Sequence, residues 1–113
     1  MRREEKVLVV EDNPAICRQM EQRYDCDCAT DGWDAIELLE TQHYAAIVID
    51  ADVPRHSGYG VLTYLREEIG SELPNVIFMT SNDQEEVRRK YGSRLNVVHK
   101  ADALNELTRV MEG

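Results

Sequence analysis

Short apolar runs alternate with longer amphipathic stretches along the chain. The five runs occupy residues 7–10, 24–28, 46–49, 76–79 and 95–98, and most of their side chains are aliphatic. Residues 46–49 are apolar at successive positions, which predicts a central strand that is buried on both faces of a sheet. Residues 24–28 alternate apolar and acidic side chains, a pattern typical of an edge strand. The runs therefore predict five strands.

Each run is followed by a stretch whose apolar residues recur at the helical spacing of three or four. Ile16 and Met20, for example, stand four positions apart. The other apolar stripes are Ala35, Ile36, Leu38 and Leu39; Val61, Leu62 and Leu65; Val87 and Tyr91; and Leu104, Leu107, Val110 and Met111. The pattern thus predicts five strand-helix units.

Residues suited to helix N-termini precede four of these stretches. Asn13-Pro14 and Asp31 stand before the first and second helices, and Asp102 stands before the last. Residues 81–84 read Ser-Asn-Asp-Gln, which is the S-x-x-Q form of a capping box. We therefore expect Ser81 to cap the fourth helix.

The alternation of strands and helices predicts an α/β fold. Right-handed crossovers place helices on both faces of such a sheet, so we expect a single doubly wound, five-stranded parallel sheet. A chain of 113 residues has room for one hydrophobic core, and no repeat or linker-like segment interrupts the pattern. Residues 1–113 are therefore expected to form one domain, with any ligand beyond the carboxyl ends of the strands.

The charge balance argues against nucleic-acid binding. The chain has 22 acidic and 13 basic side chains, and the net charge of −9 opposes binding to a phosphate backbone. Residues 1–6 are mostly charged and contain no signal-like apolar stretch, while the later apolar runs are too short to cross a bilayer. We expect a cytoplasmic protein with no direct contact to DNA or membrane.

The three cysteines are expected to be reduced thiols in the core. Cys26 and Cys28 stand two apart in a predicted strand, where their side chains share a face but are too close in sequence for a usual disulfide. A zinc site is the alternative. The Cys-x-Cys spacing and the lack of a second ligand pair do not favour it.

Chemically capable side chains follow four of the five apolar runs. Glu11 and Asp12 follow the first run, Asp50 the third and Thr80 the fourth, and Lys100 comes shortly after the fifth. Carboxylates that can hold a hard cation, a nucleophilic carboxylate, a hydroxyl and an ammonium are groups that phosphoryl transfer uses. Each residue by itself is more often a solvated turn, a cap or a surface charge. Four such strand ends in one small parallel sheet favour a functional site.

These segments resemble the receiver domains of bacterial response regulators, and the resemblance covers nearly the whole chain. The matching segments are residues 7–14, 29–32 and 47–50, Pro54 and Gly58 downstream of Asp50, residues 79–81, and His99-Lys100. The resemblance implies a flavodoxin-like sheet with the strand order 2-1-3-4-5.

The resemblance also implies a metal-dependent phosphoacceptor. Asp50 would carry the phosphoryl group. Mg²⁺ would be bound by Glu11, Asp12, Asp50 and a backbone carbonyl near Asp52, in agreement with the preference of this ion for oxygen ligands.

Two further residues and the partners follow from the same resemblance. Thr80 would donate a hydrogen bond to one phosphoryl oxygen, and Lys100 would pair with another. A histidine kinase or a phosphotransfer protein would be the donor. The chain would be a stand-alone signalling domain that catalyses only its own phosphorylation and dephosphorylation and that signals by a conformational change.

Two positions depart from the family pattern. Ala101 follows Lys100 where the family usually has a proline, which puts the expected cis peptide bond in question. Val97 stands where an aromatic switch residue is common, which puts an aromatic output switch in question.

Two alternative functions compete with a phosphoaccepting receiver. Residues 50–53 read Asp-Ala-Asp-Val and resemble the D-x-D-x-V motif of haloacid-dehalogenase-type phosphatases, but only 13 residues follow Lys100, too few for the later acidic motif of those enzymes. The other alternative is a pseudo-receiver, which keeps the fold as a binding module without phosphorylation. The complete residue set argues against it, and Val97 and Ala101 argue weakly for it.

Two features leave more than one interpretation open. Arg88, Arg89, Lys90 and Arg94 form a basic cluster on the fourth helix, which is either a solvated helix face or a docking surface for an acidic partner. Asp52 either orients the water that attacks the aspartyl phosphate or faces solvent as a bystander.

Overall fold

The computed structural model describes residues 6–52, 57–68 and 75–112, without the side chains of residues 57–59, 65, 66 and 68. Val53 and Pro54, which belong to the motifs above, lie outside the described residues, as does the side chain of Leu65. Gly58 lies in the first turn of the helix over Ser57–Glu68.

Five strands and five helices alternate along the chain. Strands β1 to β5 span Val7–Val10, Cys26–Ala29, Ala46–Asp50, Val76–Thr80 and Asn96–His99. Helices α1 to α5 span Pro14–Glu21, Gly32–Thr41, Ser57–Glu68, Gln84–Tyr91 and Ala103–Glu112, and a single 3-10 turn over Lys100–Asp102 precedes α5. β2 begins later than predicted because the amide of Tyr24 still donates to the carbonyl of Met20, in the turn that closes α1.

All five strands are parallel, in the order β2-β1-β3-β4-β5. This arrangement confirms the predicted α/β fold, with the flavodoxin-like order implied by the resemblance. β3 lies at the centre and is buried along its whole length, whereas β2 forms an edge. The register pairs Asp50 with Met79 and Thr80 with His99, so the carboxyl ends of β3, β4 and β5 lie side by side.

The sheet separates two apolar clusters, one on each face. Alternate residues of the inner strands point to opposite faces, so Leu8 and Val10 belong to one cluster and Val7 and Val9 to the other. α2, α3 and α4 cover the first face, and α1 and α5 cover the second. Within the described residues, no helix is long and apolar enough to cross a membrane.

Two predicted caps are confirmed. The side chain of Asn13 accepts a hydrogen bond from the amide of Ala15 at the start of α1, and that of Asp31 accepts one from the amide of Asp34 at the start of α2. Both satisfy backbone donors that the first helical turn leaves without intrahelical partners.

A third predicted cap is wrong, and the fourth stays a prediction. Asp83, not Ser81, is the N-cap of α4, and its carboxylate accepts a hydrogen bond from the amide of Glu85. The hydroxyl and the backbone amide of Ser81 instead donate to Asp52. Asp102, the fourth, ends the 3-10 turn that precedes the last helix, and the N-cap of that turn is His99.

The three cysteines are free, as predicted. Cys17 is buried, and it packs with Cys26 and Cys28 on the face of the sheet that α1 and α5 cover. Burial raises the pKa of all three thiols, that of Cys26 to about 12. In the described part of the chain, no group of cysteines has the geometry of a metal site.

Candidate functional site

The predicted site residues meet at the carboxyl edge of the sheet. Asp50 and Thr80 are the last residues of β3 and β4, Glu11 directly follows β1, and Lys100 directly follows β5. The short strands end in register, so four separate chain segments bring their side chains to one place. The structure therefore assembles all of the residues that the sequence had predicted for the site.

Three carboxylates form an acidic cluster. One ligand atom from each of Glu11, Asp12 and Asp50 lies within 4.8 Å of the others. Glu11 and Asp50 are 2% and 1% exposed, whereas Asp12 is exposed. Among the described residues, this is the one group of this kind that could hold a metal ion.

Glu11 carries the clearest sign that the cluster suits a cation. Its Oε2 accepts a hydrogen bond from the amide of Asn13 at 3.0 Å, but its buried Oε1 has no hydrogen-bond partner in the described part of the chain. Burial, followed by the nearby Asp50 carboxylate, raises the pKa of Glu11 to about 7. A buried carboxylate oxygen without a donor, next to two more carboxylates, fits a hard divalent cation such as Mg²⁺.

Asp50 has a donor at each carboxylate oxygen. Its Oδ1 accepts a hydrogen bond from the backbone amide of Asp52 at 2.8 Å, and its Oδ2 lies 2.9 Å from the Nζ of Lys100. Burial would lower the pKa of Lys100, but the contact with Asp50 outweighs burial and raises it. The side chain of Asp50 is thus fixed in orientation, with a cation at one oxygen and the acidic cluster nearby.

Asp52 is the most heavily hydrogen-bonded side chain of the site. Its Oδ1 accepts from the hydroxyl of Thr80 at 2.7 Å and from the side-chain amide of Asn82 at 3.2 Å. Its Oδ2 accepts from the amide and hydroxyl of Ser81 at 2.8 and 2.9 Å, and lies 3.6 Å from the Nζ of Lys100. Asp52 is therefore held by protein donors rather than by solvent alone, and its effect on dephosphorylation stays a prediction.

The electrostatics of Asp52 follow from this network. Burial by itself would raise the pKa of Asp52, but the hydrogen bonds from Ser81, Thr80 and Asn82 outweigh it and lower the pKa to about 2. A carboxylate with so low a pKa is a weak acceptor for the proton of an attacking water. The water-orienting role stays a prediction, without support from the basicity of the group.

Ser81 and Asn82 are site residues that the sequence analysis missed. Ser81 had been assigned to a capping box, and Asn82 to no role. Both residues directly follow Thr80 at the end of β4. This position at the carboxyl edge of the sheet is the signal by which the sequence could have identified them as site residues.

The predicted basic cluster does not lie wholly on α4, because the helix ends at Tyr91 and Arg94 follows it, and its residues are divided between internal and exposed ones. The guanidinium of Arg88 pairs with Glu85 and donates a hydrogen bond to the carbonyl of Val97, so it ties α4 to β5. Arg89, Lys90 and Arg94 are exposed, and the ammonium of Lys90 lies 5.3 Å from the centroid of the Tyr91 ring. The exposed part of the cluster is therefore smaller than predicted.

The described residues contain no cis peptide bond, so the bond between Lys100 and Ala101 is trans. Val97, at the position of the family's aromatic switch, is 3% exposed and packs in the apolar cluster beneath α2, α3 and α4.

Comparisons with known proteins agree with this geometry. The family model described as Response regulator receiver domain matches residues 7–109. The probable transcriptional regulator ycf27 of Porphyridium aerugineum is 34% identical over 84 residues, which cover 70% of this chain and 34% of that protein. The transcriptional regulatory protein DltR of Streptococcus agalactiae is 36% identical over 84 residues, which cover 70% of this chain and 37% of that protein. The chain spans about a third of the length of these curated relatives.

A solved structure extends the similarity to the three-dimensional level. The receiver domain of the sensor histidine kinase PA1611 from Pseudomonas aeruginosa PAO1, crystallised with a magnesium ion coordinated in its active-site cleft, is 26% identical. The similarity covers 96% of this chain and 98% of that chain, with a TM-score of 0.70. With the parallel sheet and the acidic edge described above, the family match over residues 7–109 shows that this chain belongs to the response regulator receiver domain family.

Proposed function

We propose that the chain accepts a phosphoryl group on Asp50 from a histidine kinase or a phosphotransfer protein, in a reaction that depends on Mg²⁺. One observation carries the proposal. The buried carboxylate of Asp50 lies 2.9 Å from the ammonium of Lys100 and belongs to the acidic cluster with Glu11 and Asp12. A carboxylate held between an ammonium and a cation site is suited to attack phosphorus and to carry the product.

The proposed transfer forms one bond and breaks one. A carboxylate oxygen of Asp50 attacks the phosphorus of a donor phosphohistidine, the new O–P bond forms, and the P–N bond breaks with its electron pair on the imidazole, which takes up a proton. Lys100 would stabilise negative charge on a phosphoryl oxygen. Thr80 would donate its hydroxyl hydrogen to another phosphoryl oxygen.

Mg²⁺ would be held by Glu11, Asp12, Asp50 and the backbone carbonyl of Asp52. When bound, the ion neutralises charge on the carboxylates and on the phosphoryl oxygens. The orphaned Oε1 of Glu11 supports this assignment, because a buried oxygen without a donor gains a positive partner.

The same proposal covers partners and output. Phosphorylation would shift the conformation of the domain, and the exposed residues of the basic cluster, Arg89, Lys90 and Arg94, would contact an acidic downstream protein. We expect neither DNA nor membrane among the direct partners of this domain, because its net charge of −9 repels both phosphate backbones and anionic lipid surfaces.

Intact mass measurement with acetyl phosphate and Mg²⁺ tests the proposal against the two alternatives. We expect a single addition of one phosphoryl group that persists long enough to be recorded. Continuous release of inorganic phosphate without the adduct would instead favour a phosphatase. An unchanged mass and no phosphate release would favour a pseudo-receiver.

The stand-alone action of residues 1–113 and a cytoplasmic location stay predictions. The curated relatives are transcriptional regulators about three times as long as the matching segment. Immunoblotting of cell fractions from the organism of origin tests both predictions. We expect a soluble cytoplasmic band at the 13.0 kDa of this chain, and a band several times larger would contradict stand-alone action.

A further inference from the structure

The carboxylate of Asp52 lies in a set of donors that converge on its two oxygens. The donors are the hydroxyls of Thr80 and Ser81, the backbone amide of Ser81 and the side-chain amide of Asn82, at distances of 2.7 to 3.2 Å. The ammonium of Lys100 lies 3.6 Å from Oδ2. Such a group of O–H, N–H and ammonium donors is an oxyanion site, and Asp52 is the oxyanion that it holds.

This oxyanion site adjoins the proposed phosphoacceptor. The Nζ of Lys100 lies 2.9 Å from Asp50 Oδ2 and 3.6 Å from Asp52 Oδ2, so one ammonium serves both carboxylates. A phosphoryl group on Asp50 would bring three more oxygens to the same edge of the sheet. Those oxygens need donors of the kind that Asp52 already occupies.

The two oxyanions cannot both accept the hydroxyl hydrogen of Thr80. The hydroxyl of Thr80 has a single hydrogen, which it donates to Asp52 Oδ1. A phosphoryl group carries a charge of about −1.5 to −2 near neutral pH and repels a neighbouring carboxylate. A phosphoryl oxygen and Asp52 therefore cannot both accept the hydroxyl hydrogen of Thr80, and the two anions repel each other beside the ammonium of Lys100.

We propose that Asp52 is an internal competitor for the phosphoryl group, and that its carboxylate must release the hydroxyl of Thr80 before a phosphoryl group on Asp50 can accept that hydrogen bond. The inference rests on the proposed function and deepens it, because it names the residue that sets the affinity of the site. The more stable the hydrogen bonds of Asp52 are, the lower the affinity of the site for the phosphoryl group becomes.

Beryllium fluoride with saturating Mg²⁺ is the probe, since it adds to a carboxylate as a tetrahedral analogue of the phosphoryl group. Fluorine NMR of the bound adduct gives its half-saturating concentration. We expect Asp52→Ala to lower this concentration by about tenfold or more, because charge-assisted hydrogen bonds no longer have to be broken. The substitution keeps the backbone carbonyl that the proposed metal site uses.

Three further variants separate competition from an indirect structural effect. Asp25→Ala removes the same charge from an exposed position that precedes β2, at the opposite edge of the sheet, and should leave the half-saturating concentration unchanged. Thr80→Ala removes the hydroxyl that both oxyanions need, so the gain from Asp52→Ala should shrink in that background. Asp52→Asn keeps the side-chain volume, shows a smaller gain, and replaces Asp52→Ala if that variant does not fold.

The possible outcomes distinguish this inference from the proposed function. Equal or weaker adduct binding by folded Asp52→Ala and Asp52→Asn, with normal binding by the unsubstituted chain, overturns the competition and leaves the phosphoacceptor intact. A gain that is the same with and without the Thr80 hydroxyl also overturns it. No adduct on any variant overturns the proposed function, and the competition with it.

Discussion

Single residues of the site differ in what the fold has done to their charges. Glu11 and Asp50 are almost completely buried, yet Asp50 has Lys100 as a partner, whereas one oxygen of Glu11 has no donor among the described residues. The pKa of Glu11 is accordingly raised, while the pKa of the hydrogen-bonded Asp52 is lowered. Carboxylates at the same edge of the sheet thus differ in their pKa values because their surroundings differ.

Asp50→Asn should abolish phosphoryl acceptance and leave the fold intact. The amide has nearly the size of the carboxylate but is not a nucleophile, and it removes one charge from a crowded acidic cluster. Intact mass after incubation with acetyl phosphate and Mg²⁺ measures acceptance, and circular dichroism measures the fold. Asp25→Asn, at an exposed position, is the matched control and should be phosphorylated normally. A phosphoryl adduct that persists on Asp50→Asn would move the acceptor to another residue.

The thiol of Cys26 should react slowly in the folded chain. Burial raises its pKa to about 12, whereas an unfolded thiol has a pKa of about 8.5. At pH 8 the thiolate fraction is therefore far smaller in the folded state. The greater nucleophilicity of a high-pKa thiolate offsets part of this loss, so we expect alkylation about 10²-fold slower than in denaturant. Mass spectrometry of the labelled peptide gives the rate at Cys26, and similar rates in both states would contradict the burial.

The raised pKa of Cys26 also makes the free energy of unfolding depend on pH. Because the unfolded chain releases the Cys26 proton at lower pH than the folded chain, the free energy of unfolding should fall as pH rises from about 8.5 towards about 12. Urea titrations across this range measure it. In Cys26→Ala the free energy of unfolding should fall less over this pH range. An equal fall in the variant and in the unsubstituted chain would show that other groups cause it.

At the scale of the elements, few residues lie between the end of a strand and the start of the next helix, and they have to serve both. The segment between β4 and α4 is short, and three of its residues divide two tasks: Ser81 and Asn82 hold Asp52, and Asp83 caps the helix. The helix starts two residues later than a capping box at Ser81 would require, with its N-cap at Asp83. Local sequence preference was overridden by a long-range hydrogen bond from the neighbouring strand end.

Asp83→Ala and Ser81→Ala should separate these two tasks. Loss of the Asp83 cap should lower the free energy of unfolding by about 1 kcal/mol, since the amide of Glu85 loses its acceptor. Ser81→Ala keeps that cap and its own backbone amide, so α4 should keep its hydrogen-exchange protection. Urea denaturation gives the stabilities, and amide exchange gives the protection of residues 84–91. Equal loss of α4 protection in both variants would restore Ser81 as the cap.

At the scale of the whole molecule, the parallel sheet determines where charge accumulates. Four chain segments that are distant in sequence end at the same edge, which concentrates carboxylates there in a chain with a net charge of −9. The helices and the two apolar clusters hold these segments in register, so mutual repulsion cannot be relieved by moving one strand end away. A divalent cation held by the acidic cluster would relieve it.

Mg²⁺ should therefore stabilise the folded chain. A ligand that binds only the folded state adds about 2.7 kcal/mol at a free concentration one hundred times its dissociation constant. We expect the melting temperature to rise with millimolar Mg²⁺ and to return after chelation. NaCl of equal ionic strength controls for screening, and Glu11→Gln should lose most of the rise because it removes one ligand of the cluster. A melting temperature that is indifferent to Mg²⁺ would contradict the metal site.

The sequence by itself determined the fold class and the members of the main site. Apolar periodicity separates strands from helices because it reflects which side chains must be buried, and residues 46–49 showed in this way that their strand is central. Parallel topology then brings Glu11, Asp50, Thr80 and Lys100 to one edge without further information. The strand order itself came from the resemblance to a family.

Only the tertiary structure decided how the polar side chains pair. Asp52 and Ser81 are 29 positions apart in sequence, and no local pattern indicates that they bond to each other. The cap predicted at Ser81 was wrong, and the hydrogen bonds of Asp52 were not foreseen, because both residues find their partners across the same edge of the sheet. The spacing of apolar residues in the sequence indicates which side chains are buried, whereas hydrogen-bond partners depend on which strand ends meet in space.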